Sequence, residues 1–514
     1  MIESIQLSNY KAFKNVNIPI KPITILIGAN SVGKSSIIQM LMLMHQTAEN
    51  KGGDYSAALK IYGNFVNAGA CENLFTNKVT KDPLSLSIDL ISDSIIDFFR
   101  KLKSEFIEEF AQLSLYSGSI QIDKYREFTA RLNNLHEFDE YITELVKKSR
   151  NAPDDISFVL LKHLMGVRLG NNTPQKIKED FIKTYKFLDE ISKITTKCIR
   201  IKYDLIENNN ALKISHFEIY GDKSIICVKK DFVSSGILNL SEDDISYVLK
   251  HFNSVSTIFD CYINNEKIQN KTSLHYVLEK VIVQVLFELK MSCSDSQMNY
   301  VSPLRAHPKR YYMLDKANTT VSLNTLDGDE VAEVLKENTS VKNNVNAWFD
   351  KFGLKIDVSK FKEVVHNLIV TQNQLKLDIT DVGFGISQVL PIIIQGFLSP
   401  KNSITIIEQP EIHLHPKMQA DLGDLFIDII KDKNKKLIVE THSEYLLRRI
   451  RRRISEGKIS ANDVSICLFH PRTNDSSANV EILDIGEKGD FHWPEDFYDG
   501  ELYNDITEFL KNQS

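Results

Sequence analysis

The most informative segment of this chain reads Gly28-Ala29-Asn30-Ser31-Val32-Gly33-Lys34-Ser35 and fits the pattern G-x-x-x-x-G-K-[ST]. An apolar run typical of a buried strand, Ile23–Ile27, precedes it, and a helix-like apolar stretch, Ile37–Met44, follows it. Glycines let backbone N–H groups wrap a phosphate chain, and a helix N-terminus adds free donors and a favourable dipole. The alternative is a chance glycine-rich turn, but the flanking strand and helix favour a nucleotide-binding loop.

Two side chains of this loop carry specific predictions. Lys34 is expected to neutralise the β- and γ-phosphates of ATP, and the Ser35 hydroxyl is expected to bind Mg²⁺. The sequence therefore predicts an ATPase whose cofactors are ATP and Mg²⁺. The other nucleotide contacts predicted in the loop are Gly28, Asn30, Ser31, Val32, Gly33 and Ser36.

Two further apolar runs are typical of buried parallel strands. Each is followed by polar residues, as expected of strands that end beside a phosphate site. Ile404–Ile407 is followed by Glu408, which we expect on the Mg²⁺ side of the site as a metal ligand. Lys436–Val439 is followed by Glu440-Thr441-His442-Ser443, where His442 is placed to reach the γ-phosphate. A lone histidine after a strand is more often structural, but its place on the third strand of a P-loop protein favours function.

The rest of the chain divides by hydrophobic periodicity. Period two indicates strands at Leu84–Leu90 and between Ile199 and Ile219, whereas apolar residues recur at helical spacing between them. The aromatic residues of this helical stretch are expected in a helix–helix core rather than on a base-stacking surface. The predicted divisions are 1–91 (first part of the head), 92–195 (helical insertion), 196–295 (strands and helices completing a lateral subdomain) and 296–514 (second part of the head).

The order of these motifs resembles the ABC-type ATPase superfamily, and more narrowly the SMC-like and OLD-like AAA ATPases of prokaryotes, over residues 1–75 and 296–514. The resemblance implies an α/β fold: an ABC-ATPase-like P-loop head split in sequence, with a lateral antiparallel sheet and an inserted helical arm. It also implies a head-to-head homodimer, or a higher even-numbered oligomer, with two ATP molecules at the interface.

The same resemblance assigns roles outside the P-loop. Ile5–Phe13 looks like the opening strand of the group, which brings Lys11 towards the phosphates. Asp381–Gln388 resembles the signature motif, which binds the ATP held by the other subunit through Gly383, Gly385 and Ser387, although many relatives have serine where Gly383 stands. Ile412–Pro416 looks like the segment that lines the dimer interface.

One departure from the family pattern concerns hydrolysis. ABC-type ATPases usually end the second strand with two adjacent acids, and here the pair reads Glu408-Gln409. Glutamine can orient water but cannot accept its proton. Glu411 can substitute as the base if the loop folds back, or it can merely cap the turn begun by Pro410. We therefore assign Glu408, Gln409, Glu411 and His442 to catalysis and predict slow hydrolysis.

The resemblance also suggests a cellular role. Tyr300–Pro308 and Trp493–Asp499 look like segments of a subgroup with an uncharacterised C-terminal domain, and the wider group is often found in anti-phage defence, as in the Septu-type ATPase that works beside a separate HNH nuclease. The alternatives are an SMC-like DNA-repair or chromosome-maintenance ATPase and, less favoured, a transporter subunit. OLD proteins carry a Toprim nuclease domain after the ATPase. The residues after His442 are few for such a domain and show no obvious acidic metal cluster, so we do not expect nuclease activity in cis.

The composition of the chain bears on whether it binds nucleic acid or a membrane. The formal net charge of −6 disfavours a protein that grips nucleic acid over its whole surface, so such contact would need a local patch. The strongest basic run, Arg448–Arg453, is compatible with a phosphate backbone, but a surface helix whose cations complement its C-terminal dipole is favoured. Six scattered cysteines, no signal peptide and no bilayer-length apolar stretch predict a cytoplasmic protein without membrane contact.

Overall fold

A computed structural model describes residues 1–50, 57–116, 120–151, 174–262, 272–313, 323, 330–362, 365–431, 434–472, 477–491 and 511. The predicted α/β fold is confirmed, since three sheets are combined with helices that cover them. The segment Trp493–Asp499, quoted above for its resemblance, lies outside the described residues. No helix in the described ranges has both the length and the apolar character needed to cross a bilayer.

The first sheet is the predicted lateral antiparallel sheet. Its seven strands are all paired antiparallel, in the order β2-β1-β4-β5-β6-β7-β8. Alternate residues of β4 are buried, as its period-two pattern predicts. The strands are β1 (Ile2–Tyr10), β2 (Phe13–Pro19), β4 (Leu84–Ile91), β5 (Cys198–Asn208), β6 (Ala211–Tyr220), β7 (Ser224–Lys229) and β8 (Phe232–Ser234).

The second sheet forms the head and joins the two ends of the sequence. The strands are β3 (Ile23–Gly28), β9 (Met298–Val301), β14 (Ile404–Glu408), β15 (Lys436–Glu440), β16 (Val464–His470) and β17 (Asn479–Leu483), in the order β17-β16-β3-β15-β14-β9. All pairs are parallel except β16 with β17. Since β3 lies between two strands from the far end of the chain, the head is split in sequence, as predicted.

Four helices complete the head: α1 (Lys34–Ala48), α10 (Phe384–Leu398), α11 (Pro416–Ile430) and α12 (Glu444–Ser455). The head sheet separates two hydrophobic cores, and β3 contributes to both. Ile25 packs in one core, whereas its neighbour Leu26 packs in the other together with the lateral sheet. Both faces of β3 are thus buried, which explains why its sequence is a continuous apolar run rather than an alternating one.

The helical insertion leaves the lateral sheet after β4 and returns at β5. These two strands are direct neighbours, with Ile91 opposite Cys198. The inserted helices have an aromatic core, in which the Phe138 ring lies 5.1 Å from that of Phe110 and is stacked on Tyr185 at 4.7 Å. The aromatic residues therefore pack between helices, as expected. The helices are α2 (Asp93–Tyr116), α3 (Tyr125–Leu132), α4 (Leu135–Asn151) and α5 (Pro174–Ser192), followed after the sheet by α6 (Glu242–His251) and α7 (Ser273–Ser292).

A small third sheet was not predicted. It contains β10 (Tyr312–Met313), β11 (Leu354–Lys360), β12 (Val365–Gln372) and β13 (Leu375–Asp378), with α8 (Glu330–Glu337) and α9 (Thr339–Asp350) beside it. It directly precedes the proposed signature segment. The four domain limits given above stay predictions.

Candidate nucleotide-binding site

The predicted P-loop connects the carboxyl end of β3 to the start of α1, and its backbone requires its glycines. Gly28 and Gly33 have φ angles of 138° and 111°, in the region that side chains rarely adopt. A Cβ atom on Gly28 would lie 2.5 Å from the Phe469 carbonyl oxygen, and one on Gly33 would lie 2.5 Å from the Phe13 ring. The loop conformation is therefore fixed by close packing against β2 and β16.

The Lys34 side chain is buried at the base of this loop. Its ammonium group donates to the carbonyl oxygens of Gly28 at 3.0 Å and Ala29 at 2.8 Å. Burial lowers the pKa of Lys34, while the nearby carboxylate of Glu440, 3.8 Å away, acts in the opposite direction. The N–H donors of the Lys34 ammonium group therefore point into the P-loop, where a bound phosphate would lie.

The other predicted loop contacts differ in exposure. Asn30, Ser31 and Ser35 are exposed, so their side chains are accessible to a ligand. Val32 is buried in the core, so only its backbone N–H is available to a phosphate. The backbone N–H of Ser36 donates to the Gly33 carbonyl oxygen at 3.0 Å within the first turn of α1.

Glu440 is the nearest acid to the P-loop and was not predicted as a site residue. The Ser35 hydroxyl donates to its two carboxylate oxygens at 3.2 and 3.4 Å. Burial and the neighbouring Glu408 carboxylate raise the pKa of Glu440 to about 6. The sequence did carry a signal, since Glu440 ends an apolar strand, but only the strand order places β15 directly beside β3.

Glu408 ends the next strand, β14, opposite Glu440 in the parallel register. Its carboxylate accepts a hydrogen bond of 2.7 Å from the Tyr300 hydroxyl, and burial raises its pKa. Two partly desolvated carboxylates and the Ser35 hydroxyl are the oxygen ligands that Mg²⁺ prefers, and a cation would offset their mutual repulsion. The residues present therefore fit the predicted Mg²⁺ site, with Glu440 added to Ser35 and Glu408.

The segment after β14 folds back towards β15. Gln409 has a φ angle of 45°, and its backbone N–H donates to the Glu440 carbonyl oxygen at 2.8 Å. The Glu411 carboxylate accepts 2.7 Å hydrogen bonds from the Thr441 hydroxyl and the His442 backbone N–H. The side chain of Glu411 thus contacts the segment that carries His442, instead of only capping its own turn.

His442 has an unused polar atom beside this carboxylate. Its Nε2 atom is buried and has no hydrogen-bond partner among the residues that the structure describes. Burial, assisted by Lys34, lowers the pKa of the ring. A buried ring nitrogen without a partner is costly, so a polar group of a bound ligand would stabilise it.

Lys11 lies near the P-loop helix. Its ammonium group donates to the Gln39 side chain, one helical turn after Ser35 on α1. Burial lowers the pKa of Lys11. The predicted opening strand therefore brings this cation beside the helix that follows the P-loop, and its contact with phosphate stays a prediction.

The signature segment begins α10. Gly383 is exposed at the helix start, and a Cβ atom placed on it would meet nothing within 4 Å. Gly385 is tightly packed, since a Cβ atom there would lie 2.6 Å from the His413 carbonyl oxygen. Ser387 is buried one half-turn further on. The helix start is thus accessible to an anion at Gly383. At Gly385 it packs tightly against the loop after β14.

The P-loop and both acid-bearing strands lie in a region that matches a known family. A family model described as an AAA ATPase domain matches residues 1–447. The chain belongs to this family. Membership implies ATP binding and hydrolysis by this P-loop protein. No curated protein matches the chain of this AAA ATPase.

Several solved structures resemble the AAA ATPase weakly. The SMC head bound to the C-terminal winged-helix domain of ScpA has a TM-score of 0.39 at 10% identity, covering 94% of this chain and 98% of that one. The SMC head domain of Thermotoga maritima has a TM-score of 0.35 at 6% identity, covering 94% and 99%. An SMC head with an extended coiled coil, bound to the C-terminal domain of ScpA derived from Pyrococcus furiosus, has a TM-score of 0.32 at 10% identity, covering 99% of both chains.

Arg305 is a second residue of this AAA ATPase that the sequence did not point to. Its buried guanidinium donates to the carbonyl oxygens of Glu408 at 2.8 Å and Gln409 at 3.0 Å, and more weakly to that of Gln388 at 3.4 Å. It therefore links the signature helix to the loop after β14. No spacing rule predicts such a bond, because the three partners are about a hundred residues away in sequence.

The arginines of the run on α12 all have partners within the chain, and four of the five are paired with acids. Arg449 bonds to Asp421 at 2.8 Å and Asp424 at 2.6 Å, and Arg453 bonds to Asp424 at 2.6 Å. The remaining three also have partners, namely Arg448 with Glu444, Arg451 with the Gly489 carbonyl oxygen, and Arg452 with Glu456. These contacts support a surface helix stabilised by ion pairs rather than a phosphate-backbone site.

The two signature glycines provide a matched test of packing. Gly385→Ala should destabilise the protein by about 1–3 kcal/mol, because the added methyl group overlaps a backbone carbonyl that cannot move without shifting the loop. Gly383→Ala adds the same group in open space and should leave thermal unfolding near that of the wild type. Differential scanning calorimetry of the three proteins without nucleotide measures this. Equal unfolding temperatures for the two variants would show that the contact at Gly385 is not tight in solution.

Proposed function

We propose that this AAA ATPase is a slow, ATP-driven dimeric switch that controls a separate effector protein. The observation that supports it most is the replacement of the second acid by Gln409 beside a half-buried Glu411 that is bonded to the His442 segment. A glutamine at this position cannot accept a proton, so the site is suited to holding ATP for long periods. A long-lived ATP-bound state suits a molecular switch better than it suits a motor.

Each residue of the site has a role in this proposal. Lys34 and the backbone of the P-loop bind the phosphates, and His442 Nε2 contacts the γ-phosphate from the side of β15. Ser35, Glu440 and Glu408 would hold Mg²⁺, and the bound ion would offset charge on the phosphates. Glu411 accepts the proton of the attacking water, and Gln409 orients that water.

Dimer formation is proposed from the exposed start of α10. The signature helix presents Gly383 to solvent at its N-terminus, and a helix N-terminus is a favourable site for an anion. In a head-to-head dimer this helix would contact the ATP held by the partner subunit. Arg305 would then transmit the contact, since it bonds both the signature helix and the loop that carries Glu411.

The cellular role proposed is the ATPase or sensor subunit of an anti-phage defence system, acting through an effector such as an HNH nuclease or a toxin. It is supported by the motif resemblance and by the helical insertion, which the ATPase chemistry does not require. An SMC-like repair or chromosome-maintenance ATPase is the alternative. The insertion favours the first, because α2 and α5 are a compact packed pair of helices rather than a long coiled coil.

The dimer can be tested directly by light scattering. With ATP and Mg²⁺, the Glu411→Gln protein should have twice the mass that it has without nucleotide, because ATP is needed to join the two heads and is not consumed. Lys34→Ala in the same buffer is the control and should stay at the mass of the nucleotide-free protein. A mass independent of nucleotide in both proteins would contradict an ATP-driven dimer.

A further inference from the structure

A cluster of four polar side chains lies on one face of the lateral sheet, away from the P-loop. His216 and Glu218 are two residues apart on β6 and so point to the same face, and Cys227 lies opposite Glu218 on β7. Asp204 lies opposite His216 on β5. Three adjacent strands therefore bring an imidazole, a thiol and two carboxylates together, and the ATPase chemistry uses none of them.

Two of the distances within this cluster are close to those between the ligands of a metal ion. The Nε2 atom of His216 is 3.3 Å from the Cys227 sulfur and 3.8 Å from a Glu218 carboxylate oxygen, and one donor atom from each residue lies within 4.8 Å of the others. Tetrahedral zinc with bonds of about 2.0–2.3 Å separates its ligand atoms by about 3.3–3.7 Å. The three donors are thus close to coordination distance around one point.

Neighbouring groups orient two of these donors. The Nδ1 atom of His216 donates to the Asp204 carboxylate at 2.8 Å, which directs Nε2 towards Cys227. A carboxylate on the second ring nitrogen is the usual partner of a metal-binding histidine. The Ser224 hydroxyl donates to one Glu218 oxygen at 2.6 Å and leaves the other facing His216. Hydrogen bonds to Asp204 and Ser224 therefore fix the positions of the His216 and Glu218 side chains.

We propose that His216, Glu218 and Cys227 bind a zinc ion on the lateral sheet. The combination of thiolate, imidazole and carboxylate is typical of zinc, whereas Mg²⁺ and Ca²⁺ prefer oxygen ligands alone. His216 and Cys227 are buried, but the Glu218 side chain is 24% exposed, so an ion can enter from solvent and a water molecule can complete the tetrahedron. Asp204 orients His216 and does not contact the ion.

Two carboxylates beside the His216 ring would offset the charge of a bound cation. Asp204 lies 2.8 Å from Nδ1 of His216, and Glu218 lies 3.8 Å from Nε2 of the same ring. Lys202 and Lys229 lie on the paired strands, opposite Glu218 and His216 respectively. Zinc would bind the lone pair of Nε2 and link β6 to β7, two strands near the end of the sheet opposite β1 and β2.

Zinc binding is measurable without turnover. The full chain is stripped with a chelator, and zinc is then titrated against a chromophoric competitor in the absence of nucleotide. One zinc should bind per chain, and Cys227→Ser or His216→Gln should weaken it at least about tenfold. Asp204→Asn should weaken it about 10- to 100-fold, through the orientation of His216. Cobalt should give a thiolate-to-metal absorption band that Cys227→Ser removes.

Two controls establish whether zinc binds at these three residues. Cys198→Ser changes a partly buried thiol of the neighbouring strand β5 and should leave zinc affinity unchanged. Retained ATP binding by each variant shows that the protein is folded. A loss of zinc affinity in the same variants then shows that the carboxylates near the P-loop are not the zinc ligands. Equal zinc affinity in the wild type and Cys227→Ser, or no cobalt–thiolate band in the wild type, would overturn the proposal and leave a hydrogen-bonded histidine–cysteine pair. If Cys227→Ser fails to fold, His216→Gln and Asp204→Asn decide by the same measurement.

Discussion

Lys34→Ala is expected to abolish tight ATP binding while the protein stays folded. Lys34 is the buried cation of the P-loop, and its two hydrogen bonds to loop carbonyl groups show that its ammonium group already points into the loop. When ATP binds, the ammonium group can exchange these bonds for two charge-assisted bonds to phosphate, each worth about 1.5–3 kcal/mol. The alanine variant lacks both bonds, so its affinity for ATP should be about 10²- to 10⁴-fold lower. Fluorescence titration with a labelled ATP analogue measures this loss.

The fold should survive because the hydrogen bonds of the lysine are to two carbonyl groups of the loop, and its ion pair with Glu440 is long at 3.8 Å. Lys14→Ala is the matched control, since Lys14 is an exposed lysine on β2 and its loss changes the net charge by the same amount. It should bind the analogue as the wild type does. Circular dichroism should be the same for all three proteins. Equal affinity in the wild type and Lys34→Ala would mean that nucleotide binds elsewhere or not at all.

The features that the sequence predicted correctly are those encoded locally. The P-loop strand, the helix after it and the alternating strands of the lateral sheet each depend on neighbouring residues, and their patterns are unambiguous. The helical insertion was recognised because its period differs from that of the flanking strands. The third sheet was missed because β10 and β13 are too short to show any period.

The features that the sequence did not show depend on contacts between distant segments. Glu440 joins the site because β15 lies between β3 and β14, an order that no local pattern contains. Arg305 looks like any basic residue until its carbonyl partners are placed around it. Glu408 lies at the carboxyl end of β14, and its role as a metal ligand stays a prediction. The carboxylate in contact with Ser35 is that of Glu440 on the adjacent strand, β15.

Glu411→Gln is expected to reduce ATP turnover by about 10²-fold or more, if Glu411 is the general base, without weakening ATP binding. The glutamine side chain has nearly the same shape as that of glutamate. The amide oxygen can accept from the His442 backbone N–H, and the amide nitrogen can donate to the Thr441 hydroxyl, so the loop should keep its conformation. What the amide cannot do is take a proton. Single-turnover hydrolysis and equilibrium binding are measured separately, and Glu487→Gln, an exposed acid, is the control.

The pH dependence of turnover distinguishes the base from the residues that bind Mg²⁺. Burial raises the pKa of Glu411, and a base acts only when ionised, so saturated turnover of the wild type should rise as pH increases through this raised value. That rise should be absent in Glu411→Gln. The pKa of Glu440 is raised to about 6, but its ionisation should alter the affinity for ATP with Mg²⁺ rather than the saturated rate.

Gln409→Glu restores the second acid that this chain lacks. If the slow rate results from Gln409, this variant should turn over faster than the wild type. It should also keep part of its activity when combined with Glu411→Gln, because the new carboxylate can then accept the proton. Unchanged turnover in Glu411→Gln alone would eliminate Glu411 as the base. Water would then be positioned by Gln409 or His442, and the hydrogen bonds of Glu411 to Thr441 and His442 would serve only to hold the loop.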